Sequence, residues 1–295
     1  MTVETGRLPD DREQKAGAVT VLAVEELRRS FSGVQAVDGV AFSIREGEVV
    51  SIIGPNGSGK TTTLNLVSGV IRADSGRIAL GDRRIERASV EDIAEAGLAR
   101  TFQNGRVFGG MTVADNVEVG LHTTLRASRP LRRLARVPVL RWFSLLAEVL
   151  LALVPTPAAR REQRRLAEHV DAQLERFSER LLPRRDDQTY TLSYANRRRT
   201  EIARALALRP RLLLLDEPTA GMNQTETAEV LEQLLELKMA GQTMLLVEHK
   251  IDLVMTLSDR VLVMDDGKVI AAGTPHEVRN DPAVVEAYLG RRRNT

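Results

Sequence analysis

The chain has 295 residues, room for one large domain or two small ones, and its 43% hydrophobic and 28% charged residues exclude a wholly disordered protein. Lys and Arg number 42 against 40 Asp and Glu, a formal net charge of +2 that is too even for a protein whose main task is coating nucleic acid. Cysteine is absent and histidines number four, which excludes disulfides, thiol catalysis and Cys–zinc sites and argues against a polyhistidine metal centre.

Residues 1–18 are polar and charged, lack the apolar core of a secretory signal, and read as a disordered tail. Residues 19–27 and 40–44 run or alternate apolar between Gly39 and Gly47, as strands of an opening antiparallel sheet. Residues 49–53 are a short β-branched apolar run, the pattern of a buried strand. A glycine-rich turn follows at once, and residues 61–70 then take helical spacing. The turn, Gly54-Pro55-Asn56-Gly57-Ser58-Gly59-Lys60-Thr61, fits the phosphate-loop pattern G-x-x-x-x-G-K-[ST]. Wrapping a phosphate chain in backbone N–H groups requires glycines, because only they let the main chain turn and approach so closely. The helix that follows aims its positive end at the phosphates. Lys60 is then placed for the β/γ-phosphates and the Thr61 hydroxyl for Mg2+.

Residues 126–165 break the strand–helix rhythm with ten arginines and only two acids, Glu148 and Glu162. They read as a helical insertion. Its apolar stretch, 137–154, is interrupted by Pro138, Arg141 and Glu148, and is too short and too charged for a membrane span. Leu140, Phe143, Leu146, Leu150 and Leu153 recur at helical spacing, which fits either a helix facing the protein's own core or one resting near a membrane partner. Helical patterns at 197–208 and 225–240 alternate with apolar runs at 212–215 and 244–247, which implies a mostly parallel sheet covered on both faces. Asp216-Glu217 closes the first of those runs. Carboxylates there point into the crevice where ligands sit, Asp216 toward Mg2+ through water and Glu217 as general base toward an attacking water. Residues 261–264 and 269–272 flank Asp266-Gly267 as a hairpin.

The phosphate loop, Gln103, Leu192-Ser193-Tyr194-Ala195-Asn196, Asp216-Glu217-Pro218-Thr219 and His249 occur in the order of an ABC-type ATPase, and residues 19–290 resemble that family. The match is closer to the ATP-binding subunits of branched-chain amino acid importers, carried by Ala99-Arg100-Thr101-Phe102-Gln103-Asn104, Ala220-Gly221-Met222-Asn223, Val247-Glu248-His249-Lys250 and Ala287-Tyr288-Leu289-Gly290. The resemblance implies an α/β P-loop NTPase fold. Its mostly parallel central sheet would carry an N-terminal antiparallel β subdomain and a helical subdomain over about 104–208 that includes the insertion, with 291–295 left as a basic tail. It implies ATP and Mg2+ as ligands. Phe31 would stack on adenine, although a core phenylalanine in the first sheet fits the same pattern. Gly54, Pro55, Asn56, Gly57, Ser58, Gly59, Lys60, Thr61 and Thr62 would hold the phosphates. Thr61, Gln103 and Asp216 would serve the metal, and Gln103 would also touch the attacking water. His249 would bond the γ-phosphate, and residues 220–223 would cross a dimer interface.

Ser193 and Ala195 would serve the ATP held by the other subunit of a dimer. Here the chain departs from the family pattern Leu-Ser-x-Gly-Gln: Ala195 adds a methyl where backbone should approach phosphate, and Asn196 is a methylene short. The expectation is a slow site on the partner's side. The implied partners are integral membrane permease subunits, a second ABC ATPase that is a copy or a different chain, and indirectly a solute-binding protein, with no nucleic acid. The implied place is the cytoplasmic face of the membrane, as a peripheral subunit. Two alternatives stay open: an ABC ATPase for urea, amides or another solute, and a soluble ABC ATPase outside transport.

Overall fold

The computed structural model describes residues 19–101, 107–121, 157–177 and 179–289. Gln103, most of the basic insertion and both tails lie outside them. The chain opens with strands β1 (Thr20–Phe31) and β2 (Val34–Arg45), an antiparallel hairpin. Its turn, Ser32-Gly33, takes positive φ at both residues (46° and 87°), the backbone that a two-residue hairpin of right-handed twist requires. Both strands run further into the hairpin than the apolar pattern indicates. Arg28 pairs with Asp38 across it, so polar side chains continue the ladder where no core is needed.

Next come β3 (Val49–Ile53), α1 (Lys60–Val67), β4 (Ser75–Leu80), β5 (Arg83–Arg84), α2 (Val90–Glu95) and β6 (Leu98–Arg100). Helices α3 (Val113–Gly120), α4 (Pro157–Glu175) and α5 (Tyr194–Ala207) follow. The chain then alternates through β7 (Leu212–Asp216), α6 (Gln224–Met239), β8 (Met244–Val247) and α7 (Ile251–Leu257). It ends with the hairpin β9 (Arg260–Asp265) and β10 (Lys268–Gly273), then α8 (Pro275–Arg279) and α9 (Pro282–Leu289).

One sheet is antiparallel in the order β2-β1-β4-β5; the other runs β10-β9-β3-β8-β7-β6, parallel except for β10. This is the mostly parallel sheet and N-terminal β subdomain that the residues implied. Alternation along the strands sorts most of the core into two clusters, and a third, smaller one gathers Ile53, Val261 and Val263 with Val254, Val278 and Val284 of α7, α8 and α9. Val50, Ile52, Leu212, Leu214, Leu245 and Val247 face α1 and the antiparallel sheet. Val49, Leu213, Leu215, Met244 and Leu246 face α3, α4, α5 and α6. Each buried leucine or valine contributes about 1.5–3 kcal/mol relative to exposure, so strands apolar on both faces have one place to go. The described part of the basic insertion, 157–165, is the first half of α4. His169 of α4 bonds the Ala207 carbonyl at 3.1 Å and fixes this helix to the end of α5.

Candidate active site

Strands β3, β8 and β7 are neighbours, and the loops leaving their C-terminal ends share one edge of the sheet, where ligands of parallel sheets bind. The first loop is residues 54–59. A Cβ on Gly54 (φ 149°) would stand 2.0 Å from the Met264 carbonyl oxygen, and one on Gly59 (φ 99°) 2.4 Å from that of Ala36. Packing against β9 and β2 thus demands these two glycines, independently of any phosphate. Gly57, at φ 83°, has open space beside it. Asn56 is exposed and Pro55 half-buried. Ser58 Oγ is buried with no protein partner.

Lys60 begins α1 and is buried. Its Nζ donates to the carbonyls of Gly54 (2.9 Å) and Pro55 (2.8 Å), so the ammonium lies inside the loop it closes. Burial pushes its pKa below the ordinary lysine value, and the nearby Glu217 carboxylate pulls it partly back. Thr61 is exposed and Thr62 half-buried on the first turn of α1.

Asp216 ends β7. Its Oδ2 accepts from Arg100 Nη2 at 2.8 Å, while its Oδ1 is buried without a partner. Glu217 follows at φ 48°, left-handed backbone that a non-glycine residue rarely adopts, and its N–H donates to Val247 O at 2.9 Å. That backbone turns its carboxylate across to β8, where Oε1 meets His249 Nε2 at 2.8 Å. Glu248, buried beneath, accepts from the His249 N–H (2.9 Å) and from the Thr219 hydroxyl, and so ties the loops after β7 and β8 together.

Phe31 is 42% exposed at the tip of β1, so its ring is a surface ring with the Arg29 guanidinium 4.7 Å from its centroid, and the core alternative does not hold. Ser193 caps α5, accepting from the Asn196 N–H at 3.3 Å, and is exposed. Ala195 differs from expectation. It is 2% exposed and packed in the core beside α3 and α6, so its methyl fills the protein instead of crowding a phosphate. What Ala195 can offer an anion is a main-chain N–H in the first turn of α5. Asn196 is buried and its Oδ1 accepts from Arg199 Nη1 at 2.6 Å. In the loop 220–223, Asn223 caps α6 in a reciprocal box with Glu226. Gln103 is among the residues not described.

Four contributors have no role in the sequence reading. Arg100 grips Asp216, and Arg198, fully buried on α5, donates Nη2 to the Asp216 carbonyl and Nη1 to Glu201 at 2.6 Å. Glu248 braces His249. Tyr288 of α9 stands near the phosphate loop, where partial desolvation raises its phenol pKa and the Gly54 N–H partly offsets the rise, although the residue remains 39% exposed. The spacing of Arg198 and Glu201, three apart on one helix, was the available signal. An arginine-rich chain hides it.

The arrangement sets a loop of N–H groups and one buried lysine opposite two carboxylates, one of them hydrogen-bonded to an imidazole. Such a site can bind a polyphosphate and activate a water beside it. The partnerless Ser58 Oγ and Asp216 Oδ1 fit a phosphate and its hydrated Mg2+.

Two family models match the chain: ABC transporter over residues 37–220, and branched-chain amino acid ATP-binding cassette transporter over residues 268–293. The chain is 41% identical over 271 residues to a high-affinity branched-chain amino acid transport ATP-binding protein, LivG, of Salmonella typhimurium, covering 92% of this chain and 98% of that one. It is 38% identical over 271 residues to the corresponding BraF protein of Pseudomonas aeruginosa, with 92% and 98% covered. Among solved structures, an ATP-binding cassette of an ABC transporter in its ADP conformation is similar at TM-score 0.74 and 31% identity, covering 92% of this chain and 99% of that one. A nucleotide-free ABC cassette is similar at TM-score 0.72 and 30% identity, with 92% and 100% covered.

Proposed function

The chain belongs to the ABC transporter family, in its branched-chain amino acid branch, and we propose that it is the ATP-hydrolysing subunit of an importer of branched-chain amino acids. The observation that carries the chemistry is the Glu217–His249 pair, 2.8 Å long, formed between the ends of two parallel strands beside the buried Lys60 loop.

In this reading the N–H groups of residues 54–59 and the positive end of α1 hold the ATP phosphates, with Lys60 at the β/γ junction. Phe31 offers its exposed ring to adenine. Thr61 and the free oxygen of Asp216 hold Mg2+, which when bound neutralises phosphate charge. Glu217 accepts the proton of the attacking water, and His249 orients that carboxylate and reaches the γ-phosphate. The Ser193 hydroxyl and the N–H groups opening α5 complete the site of a second ATPase across the loop 220–223. Gln103 is assigned to metal and water by its motif.

The solute rests on similarity to relatives named for branched-chain amino acid transport and on the C-terminal match at 268–293. No described helix is long and apolar enough to cross a membrane. By the same similarity the pathway for the solute is assigned to permease partners, with this subunit peripheral on their cytoplasmic face and a solute-binding protein delivering cargo. Turnover and nucleotide affinity of two variants test the chemistry. Lys60→Ala is expected to lose ATP binding. Glu217→Gln is expected to bind ATP normally while hydrolysis falls by at least about 10²-fold, the usual contribution of a general base. Undiminished hydrolysis by Glu217→Gln would remove Glu217 as the base.

A further inference from the structure

Asp216 is the carboxylate assigned to Mg2+, and its side chain is only 3% exposed. A carboxylate so buried needs a fixed partner. Arg100, itself 7% exposed, supplies it from the end of the neighbouring strand β6. One guanidinium nitrogen, Nη2, donates to Asp216 Oδ2 at 2.8 Å; the other, Nη1, donates to Ser68 Oγ at 2.6 Å. Ser68 is the C-cap of α1, and its hydroxyl proton is already given to Leu64 O at 2.8 Å, so it receives Arg100 through a lone pair. The planar fork is therefore pinned at one end to the helix that begins with Lys60 and at the other to one oxygen of Asp216. The second oxygen, Oδ1, is left buried and unpartnered.

We propose that Arg100 is a positioning residue that holds the Asp216 carboxylate with one oxygen committed and the other presented to the hydrated metal, in register with Lys60 and Thr61 through Ser68 and α1. The proposal rests on the reading of Asp216 as the metal carboxylate. Partners behind a ligating group typically change metal affinity by about 10–100-fold when removed. A guanidinium suits the task because its donors are fixed in one plane; a lysine brings the charge as a single point on a flexible stem.

The test is nucleotide affinity of the full-length chain, measured in EDTA and through an Mg2+ titration with ADP as the probe. Wild type, Arg100→Met, Arg100→Lys and Asp216→Asn are compared. Wild type and both Arg100 variants are expected to bind ADP equally in EDTA, where no metal bridges the carboxylate to the nucleotide. The Mg2+ concentration giving half the gain in affinity should rise about tenfold in Arg100→Met and by a smaller factor in Arg100→Lys, which restores charge but not the fork. A wild-type Mg2+ midpoint in both Arg100 variants would overturn the proposal. Equal loss of ADP affinity in EDTA and in Mg2+ would also overturn it, because it would make the ion pair a purely structural one. If the methionine variant does not fold, Arg100→Lys decides alone by the same criterion. A wild-type midpoint in Asp216→Asn would instead refute the reading of Asp216 on which the proposal stands.

Discussion

At the scale of single residues, the site depends on side chains that are held twice. Glu217 is turned by an unusual backbone conformation and anchored through His249, and His249 in turn stands on the buried Glu248. The signature segment is held differently. Ala195 contributes its methyl to the core, and Asn196 gives its side-chain oxygen to Arg199, which also reaches Glu229 of α6. The expected slow site on the partner's side therefore shifts from Ala195 to Asn196, whose side chain is already engaged inside its own helix. Ala195→Gly should leave ATP turnover unchanged and lower stability by about 0.5–1 kcal/mol, the usual deficit of glycine in a helix. Asn196→Gln, alone or with candidate partner ATPases, should raise turnover by up to about 10²-fold, because the added methylene extends the reach of the amide donor toward the partner's phosphate. Turnover that rises with Ala195→Gly and not with Asn196→Gln would return the fault to the methyl. These assays read steady-state ATPase rate and denaturant midpoint for each variant.

Among the elements, the β1–β2 hairpin carries Phe31, and its tip is tied down by one residue outside it. Asp74, just before β4, accepts from the Ser30 N–H at 2.7 Å and from Arg29 Nη1 at 2.7 Å, and Arg29 lies over the Phe31 ring. The Ser30 N–H foremost, with Arg29, holds the Asp74 carboxyl below its ordinary pKa. A depressed folded-state value means the unfolded chain binds more protons on acidification. The stabilisation is therefore complete above the unfolded carboxyl value of about 3.9 and is lost as pH falls through the lower folded one. Denaturant midpoints measured from pH 6 down to pH 3 should fall less for Asp74→Asn than for wild type, and parallel curves would show that Asp74 contributes nothing. Strands β3, β7 and β8 were legible in the sequence because they are apolar on both faces and end in motif residues. Strands β4, β5 and β6 were not: β5 and β6 are two and three residues long, and β4 is half-exposed and contains Gly76. The phosphate loop and Asp216-Glu217 were legible because their chemistry needs contiguous residues. Arg100 and Arg198 were not, since each meets Asp216 only across the fold, and single arginines in so arginine-rich a chain carry little signal.

For the molecule as a unit, the buried clusters on the parallel sheet hold one of its edges in place and leave the loops there for chemistry. Helix α5 links the proposed signature segment to the proposed active site. Its first turn faces outward at Ser193, and one turn on, Arg198 is bonded to the carbonyl of Asp216. A displacement of α5 by a partner subunit would thus be felt at the chain's own carboxylates. In the proposed function, hydrolysis directed by Glu217 powers the uptake of branched-chain amino acids through a membrane partner. The direct measurement is uptake of radiolabelled leucine into proteoliposomes that hold this subunit with its co-purified membrane proteins and solute-binding protein, with ATP and Mg2+ on the side of the ATPase. Wild-type complexes should accumulate leucine only with ATP. Complexes carrying Glu217→Gln should assemble and bind ATP but accumulate none. Leucine uptake that persists with Glu217→Gln, or that is absent from wild-type complexes while ATP is being hydrolysed, would rule out Glu217-directed hydrolysis as the driver of branched-chain amino acid import.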